Sequence, residues 1–255
     1  MKAKIFLILT AVIMVGCSSP NRIIDTHIHL YDTSRPEGVP WPPPSDDVLF
    51  RPTVARHFDA ICEANGVSAT VIVEASDRVE DNQWVLDLVK HNPKRYIGLV
   101  GNLPIGTPQF AKHLERFAKD ERFVGLRLRS WPEGVTGFND AVWRDLQLLA
   151  EKGLTLDVLM SNFDLADVSQ IAEHVPSLKI LINHLTGLTI TGQPAEADWT
   201  AAVKRAAAHP NVYCKVSGIF QRSGRMPAPK NTAYYAPIFE EVWQINAVHI
   251  GRNCS

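Results

Sequence analysis

The sequence predicts an α/β fold, a (β/α)8 barrel of the TIM type, and three observations predict it. Short runs rich in Val, Ile and Leu alternate with helical patterns almost from end to end, which requires a parallel sheet. No glycine-rich phosphate turn follows the first strand, so the doubly wound alternative lacks its usual signature. Polar residues recur at strand ends, where barrels of this kind gather their chemistry.

The elements follow in order. Residues 23–28 form the first strand, and Thr53 is placed to cap a helix over 54–64 that ends at Gly66. Residues 69–73 are the second strand; the helix at 82–91 stops at Asn92-Pro93. Strand 96–100 precedes a helix at 108–119. Strand 124–128 precedes one at 140–152, with Asn139 as its cap and Gly153 at its end. Strand 154–159 leads to helix 165–174, which halts before Pro176. Strand 178–183 leads to helix 199–208, with Asp198 as its cap and Pro210 beyond it. Strand 212–216 is the seventh. The last helix, 232–245, carries Tyr235, Phe239, Val242 and Trp243 at helical spacing as a packing face. An eighth strand is expected within 246–255, so the expectation is a barrel truncated at strand eight with no closing helix.

Composition bounds the rest. The chain has 255 residues, a net charge of −1 and 45% hydrophobic residues, enough for one sizeable core. The balanced charge gives no reason to expect nucleic acid as a partner. Lys2 and Lys4 precede an apolar run over 5–15 that is too short to span a membrane. Met14-Val15-Gly16-Cys17 then reads as a lipobox. Residues 1–16 are thus expected to be a lipoprotein signal peptide, 17–21 an anchor with Cys17 acylated, and 22–255 the barrel. Ser18 after the cysteine matches an outer-membrane sorting pattern, which places the domain on the periplasmic face, held by lipid. Cys62 and Cys214 read as small core hydrophobes.

The chemistry-bearing positions begin with Ile23-Ile24-Asp25-Thr26-His27-Ile28-His29. Alternation puts His27 and His29 on one face, with Asp25 placed to orient one of them. Two imidazoles there can hold one metal ion or grip one polar substrate. His184 ends the sixth strand in Asn183-His184-Leu185-Thr186-Gly187. Arg127 and Arg129 share a face of the fourth strand; they either clamp a substrate carboxylate or oxyanion, or pair internally with Glu74. Lys215, on one face with Tyr213 and Ser217, either binds substrate oxygens or makes a structural ion pair. Asp157 on the fifth strand is expected to face the lumen. Trp41, in Val39-Pro40-Trp41-Pro42-Pro43-Pro44, either lines the mouth or plugs a surface loop.

Together these residues resemble the amidohydrolase superfamily, and most closely its amidohydrolase-related, lactonase-like branch, which includes 2-pyrone-4,6-dicarboxylate lactonase and L-fuconolactonase. Asp25-Thr26-His27-Ile28-His29 is similar to that branch's opening D-T-H-x-H. Asn183-His184-Leu185-Thr186-Gly187 is similar to its strand-six D-H-x-G, and Asn211-Val212-Tyr213-Cys214-Lys215-Val216-Ser217-Gly218 to its N-V-Y-C-K-x-S-G. The resemblance implies a barrel of the metal-dependent-hydrolase type that opens a small-molecule lactone, a sugar lactone or a carboxylated cyclic ester, with activated water. It implies that His27, His29 and His184 polarise the carbonyl, alone or through one divalent zinc or manganese ion, since metal need varies across the branch. It also implies that Arg127, Arg129 and Lys215 steady the substrate and that a strand-eight Asp is the general base; Trp41, placed at the mouth by its loop, is the further substrate-binding candidate.

The sequence departs from the superfamily in three places. Strand four carries no lysine for carbamylation. Strand five ends Leu159-Met160-Ser161 without a histidine, which argues against a binuclear site and against the decarboxylase relatives. Where the family reads G-S-[DN]-W-P, this chain has Gly251-Arg252-Asn253-Cys254-Ser255, and an Asn amide cannot act as a carboxylate base. The rival expectation is a catalytically impaired or truncated barrel acting as a binding protein.

Overall fold

The structure, a computed structural model, describes residues 22–131, 133–161 and 164–245. Seven parallel strands run in sequential order: β1 (Ile23–Ile28), β2 (Val67–Val73), β3 (Tyr96–Gly101), β4 (Phe123–Ser130), β5 (Thr155–Ser161), β6 (Lys179–Ile182) and β7 (Val212–Cys214). Helices α1 (Ala55–Asn65), α2 (Val79–Val89), α3 (Phe110–Phe117), α4 (Asp140–Glu151), α5 (Leu165–His174) and α6 (Ala197–Ala207) lie between successive strands, and α7 (Ala236–Gln244) follows β7.

The sheet is curled. In a flat sheet β1 and β6 would stand about 24 Å apart, five strand spacings. Here the ring of His27 on β1 lies 4.5 Å from that of His184 just past β6. That contact requires the strands to bend around a common lumen as a TIM-like barrel does. The expected eighth strand, with Asn253, falls outside the described residues, as do the expected signal peptide, Cys17 and the anchor.

The outer face of the sheet makes the main core. Phe110, Leu114 and Phe117 of α3, Leu146 and Leu149 of α4, and Val168 and Ile171 of α5 pack on strand residues such as Leu126, Leu156 and Ile180. Phe117 stacks on Phe123 with ring centres 5.4 Å apart. Gly125 is glycine because a Cβ there would stand 2.7 Å from the Thr155 carbonyl oxygen across the β4–β5 pair. A second cluster of Leu185, Ile190, Tyr235, Ile238 and Val242 fastens α7 to the turn after β6.

Local signals hold in part. Asn139 caps α4 by accepting from the amides of Ala141 and Val142, and Gly66 ends α1 in the left-handed conformation. Thr53 does not cap α1. It pairs with Tyr31 in an isolated bridge, and the side chain of His57 accepts the Val54 amide instead. Asp198 lies inside the first turn of α6, two residues past the capping position, Glu196. The final helical pattern divides into a 3-10 turn at Thr232–Tyr234 and α7, which begins at Ala236-Pro237. Its packing face is Tyr235, Ile238 and Val242, whereas Phe239 and Trp243 are exposed.

Candidate active site

The strand ends bring three histidines into one cluster. His27 and His29 leave β1, and His184 leaves β6; His27 contacts both others, with ring centres 5.1 Å from His29 and 4.5 Å from His184. His29 Nδ1 lies 2.8 Å from the Val73 carbonyl oxygen. That oxygen can only accept, so Nδ1 carries the proton and the neutral ring leaves Nε2 as an acceptor. His184 Nδ1 lies 2.9 Å from Ser217 Oγ. Both ring nitrogens of His27 are buried without a hydrogen-bond partner among the described residues. Asp25 does not orient an imidazole; its carboxylate accepts the backbone amide of His27.

All three imidazoles are held neutral. Burial is the largest cause in each case, and the surrounding cations add to it. His27 is lowered to about 2, with Lys215 the next contributor. His29 is lowered to about 4, with Arg127 next, and His184 to about 4, with Arg222 next.

His184 also stands on unusual backbone. His184, Leu185 and Thr186 have φ of +53°, +53° and +59°, and Gly187 follows at +76°. For non-glycine residues each such φ costs about 1–2 kcal/mol, so the surroundings must enforce it. Leu185 is buried in the second cluster, its amide donates to the Lys215 carbonyl, and Trp199 Nε1 donates to Thr186 Oγ1 at 2.7 Å.

Two carboxylates, Glu74 and Asp157, gather cations of nearby strands. Arg127 and Arg129 converge on one carboxylate: the Nε of each donates to Glu74 Oε1 at 2.7 Å, and a terminal nitrogen of Arg129 reaches Oε2. Arg127 also donates to the Glu74 carbonyl at 2.7 Å. The internal pair with Glu74 is therefore present, and both arginines share it. Lys215, just past β7, reaches across β6 to Asp157 on β5. A side chain can bridge strands two apart only on the concave face, so both lie in the lumen. Asn183 Nδ2 also donates to the same Asp157 oxygen, at 3.1 Å. Trp41 packs edge-on to His29 at 5.2 Å and to Tyr31 at 5.5 Å, so the proline-rich loop forms a wall beside the first-strand histidines. A cavity of about 20 Å³, room for one water, lies between Trp41 and Glu74.

The donors can be weighed against a metal ion. Three neutral imidazoles, two of them steadied through Nδ1, are chemically suited to a borderline cation such as zinc. Yet among the described residues no three His, Cys, Asp or Glu side chains are arranged to hold one. The arrangement as it stands does not fit a resident metal, and no step below runs through one.

Sequence reasoning missed Arg222, which sits in a loop without periodicity. The signal that could have found it is its place a few residues after Lys215-Val216-Ser217-Gly218.

Comparison with known proteins agrees with this fold. A family model described as Amidohydrolase matches residues 24–246. The L-fucono-1,5-lactonase of Burkholderia ambifaria is 26% identical over 211 residues, covering 80% of this chain and 70% of that protein. A crystal structure of an amidohydrolase from Burkholderia multivorans with bound HEPES superposes with a TM-score of 0.70 at 20% identity, covering 89% of this chain and 79% of that one. A second crystal form of that protein, with bound zinc, gives 0.67 at 21% identity, covering 89% and 78%.

Proposed function

The chain belongs to the amidohydrolase family, and from that premise we propose that its site hydrolyses a lactone. The observation that carries the reading is the cluster of His27, His29 and His184, three imidazoles gathered at the strand ends and all kept neutral. A neutral imidazole N–H can polarise a carbonyl without giving up its proton. His27, whose two nitrogens have no competing partner, and His184 supply such donors to the lactone carbonyl oxygen. His29, with its Nε2 lone pair free, accepts a hydrogen bond from water and orients it toward the carbonyl carbon. Water adds to that carbon, the ring C–O bond breaks, and the proton given up by the attacking water passes to the leaving alkoxide, so that the product is a hydroxy acid. Trp41 walls the mouth beside His29, while Arg127, Arg129 and Lys215 face the bound ring with their charge already balanced by Glu74 and Asp157.

The lactonase named among the relatives supports the substrate class. A metal-dependent form of this reading, with one zinc or manganese ion, would need His27, His29 and His184 to move from the arrangement described; the zinc-bound neighbour is what supports it. Assays on aldonolactones and pyrone lactones, with chelator-treated and metal-replete protein side by side, test both. Turnover of a lactone is expected, and its dependence on added metal decides between the two forms. Failure to open any lactone in either state overturns the reading.

The proposal extends to the N-terminus. Cleavage before Cys17 and acylation of its thiol hold the domain to the periplasmic face of the outer membrane. Cys17→Ala is expected to move the protein from the membrane fraction to the soluble one; no change in fractionation overturns this.

A further inference from the structure

Opening a lactone turns its ring oxygen into an alkoxide, which is too strong a base to leave readily without a proton. The reaction therefore gains from an acid placed at that oxygen. Few groups of the site can serve. The three imidazoles are neutral, and a neutral imidazole N–H polarises an oxygen without giving up its proton. Arg127, Arg129 and Arg222 carry guanidinium groups, which keep their protons. An ammonium ion both donates hydrogen bonds and can release a proton to an alkoxide. Of the lysines among the described residues, Lys215 alone is not exposed.

The fold fixes Lys215 at both ends. Its amide donates to the Ile182 carbonyl at 2.8 Å, and its carbonyl accepts from the Leu185 amide at 3.1 Å, so its backbone is held level with Asn183 and His184. Its side chain crosses β6 on the concave face to Asp157, which is fully buried. Asp157 Oδ2 takes one of the three ammonium hydrogens, and no second acceptor holds the others among the described residues. Ser217, two residues further on, places its Oγ 2.9 Å from His184 Nδ1. The same short run of chain thus supplies the ammonium and steadies one of the rings assigned to the carbonyl. The charge of Lys215 is felt at those rings: after burial it is the largest cause holding His27 neutral, and it contributes at His184. In a lactone the ring oxygen is bonded to the carbonyl carbon, so the leaving oxygen cannot be far from the donors that hold the carbonyl oxygen.

We propose that Lys215 is the catalytic acid of ring opening, with Asp157 as the residue that positions it. As the C–O bond breaks, its electron pair takes a proton from Lys215 Nζ. The amine left behind takes up the proton that the attacking water released, so the ammonium is restored and the hydroxy acid departs. The proposal rests on the lactonase reading above and names the carrier of its proton.

The test uses the full chain and two kinds of leaving group. Dihydrocoumarin releases a phenoxide, whose acid has a pKa of about 10, and needs little help from an acid. An alkyl lactone, δ-valerolactone or an aldonolactone, releases an alkoxide and needs it. In Lys215→Met, kcat/KM on the alkyl lactone is expected to fall about 10²–10⁴-fold, the worth of a general acid, with a far smaller fall on dihydrocoumarin. Lys215→Arg keeps the charge and a partner for Asp157 but holds its proton, so it is expected to show the same selective loss. A merely structural or substrate-gripping lysine would be rescued by arginine. Equal falls on both lactones, or an alkyl-lactone rate retained in Lys215→Arg, overturns the proposal. If Lys215→Met leaves Asp157 stranded and fails to fold, or if the native protein opens the alkyl lactone alone, Lys215→Arg decides by the same rate. Native turnover of dihydrocoumarin alone overturns the proposal while leaving the lactonase reading intact. If the native protein opens no lactone, that reading fails first and this one falls with it.

Discussion

On one side of the lumen, Glu74 at the end of β2 accepts from both Arg127 and Arg129 of β4, and all three charges find partners within the wall. On the other side, the residues at the ends of β5 to β7 leave matters open. Asp157 Oδ1 and Asn183 Oδ1 are buried without a hydrogen-bond partner among the described residues, as are both nitrogens of His27, whose ring lies 4.5 Å from that of His184. Arg222 has no acidic partner among the described residues, and His184 stands on backbone that an L-residue rarely adopts. Native interiors satisfy nearly all buried polar groups, so exceptions gathered in one place mark a site that something else completes. The first wall is a scaffold closed on itself, and the second is where ligand chemistry belongs.

The sharpest way to break that contrast is Glu74→Ala. It strands two arginines, one of them buried, and is expected to cost about 3–5 kcal/mol of stability. Urea denaturation with an unchanged m-value would measure it. A cost below about 1 kcal/mol would show that the Glu74 wall is not the scaffold described here. Opposite that scaffold, His27→Ala on β1 removes two nitrogens that have no partner among the described residues to lose. It is expected to lower lactone kcat/KM by about 10²–10³, the usual cost of one carbonyl-polarising donor, while shifting the urea midpoint less than Glu74→Ala does. His184→Ala should behave likewise. If both variants kept full activity, the histidine cluster would not be the reacting centre.

Much of this was legible in the sequence, for physical reasons that differ by residue. His27, His29 and His184 end apolar strands, and the two-residue period of a strand fixes which side chains share a face. The same period put Arg127 and Arg129 together, and their length lets both reach one carboxylate. The left-handed turn at His184 was not legible, because nothing in Leu185-Thr186 favours positive φ. It is imposed by the burial of Leu185 and the bond from Trp199, which are tertiary contacts. The packing face of α7 was misplaced because two neighbouring arcs of that helix are both apolar. Phe239 and Trp243 are the larger residues, but Ile238 and Val242 are the ones that meet the second cluster.

A smaller expected effect is the dependence of stability on pH. The ordinary value of 6.5 for histidine applies to the unfolded chain, whereas in the folded protein His29 and His184 are lowered to about 4 and His27 to about 2. Below pH 6.5 the unfolded chain takes up protons that the folded site refuses. Stability from these groups is thus fully present above 6.5, falls as pH drops toward 4, and falls further through His27 toward 2. The urea midpoint should decline from pH 7.5 to 5, and less steeply in a His27→Ala, His184→Ala double variant. Equal slopes would mean that the three rings are not held neutral by the fold.

The finest distinction between the site wall and the rest of the molecule can be drawn with two glycines. Gly218 and Gly66 have nearly the same backbone, φ of +65° and +67°. Alanine at either position should therefore cost about 1–2 kcal/mol from the left-handed conformation alone. Their surroundings differ. A Cβ at Gly66 meets nothing within 4 Å, while one at Gly218 would lie 3.3 Å from His184 Nδ1, the atom now in contact with Ser217. That ring must yield by a few tenths of an ångström, and with it the only link that steadies its orientation among the hydrogen bonds described above. Gly218→Ala and Gly66→Ala should then lose similar stability, but Gly218→Ala alone should lose lactonase activity several-fold at a temperature where both are folded. Equal activities would mean that His184 tolerates displacement, and that the strained turn beneath it serves packing and not the chemistry of the second wall.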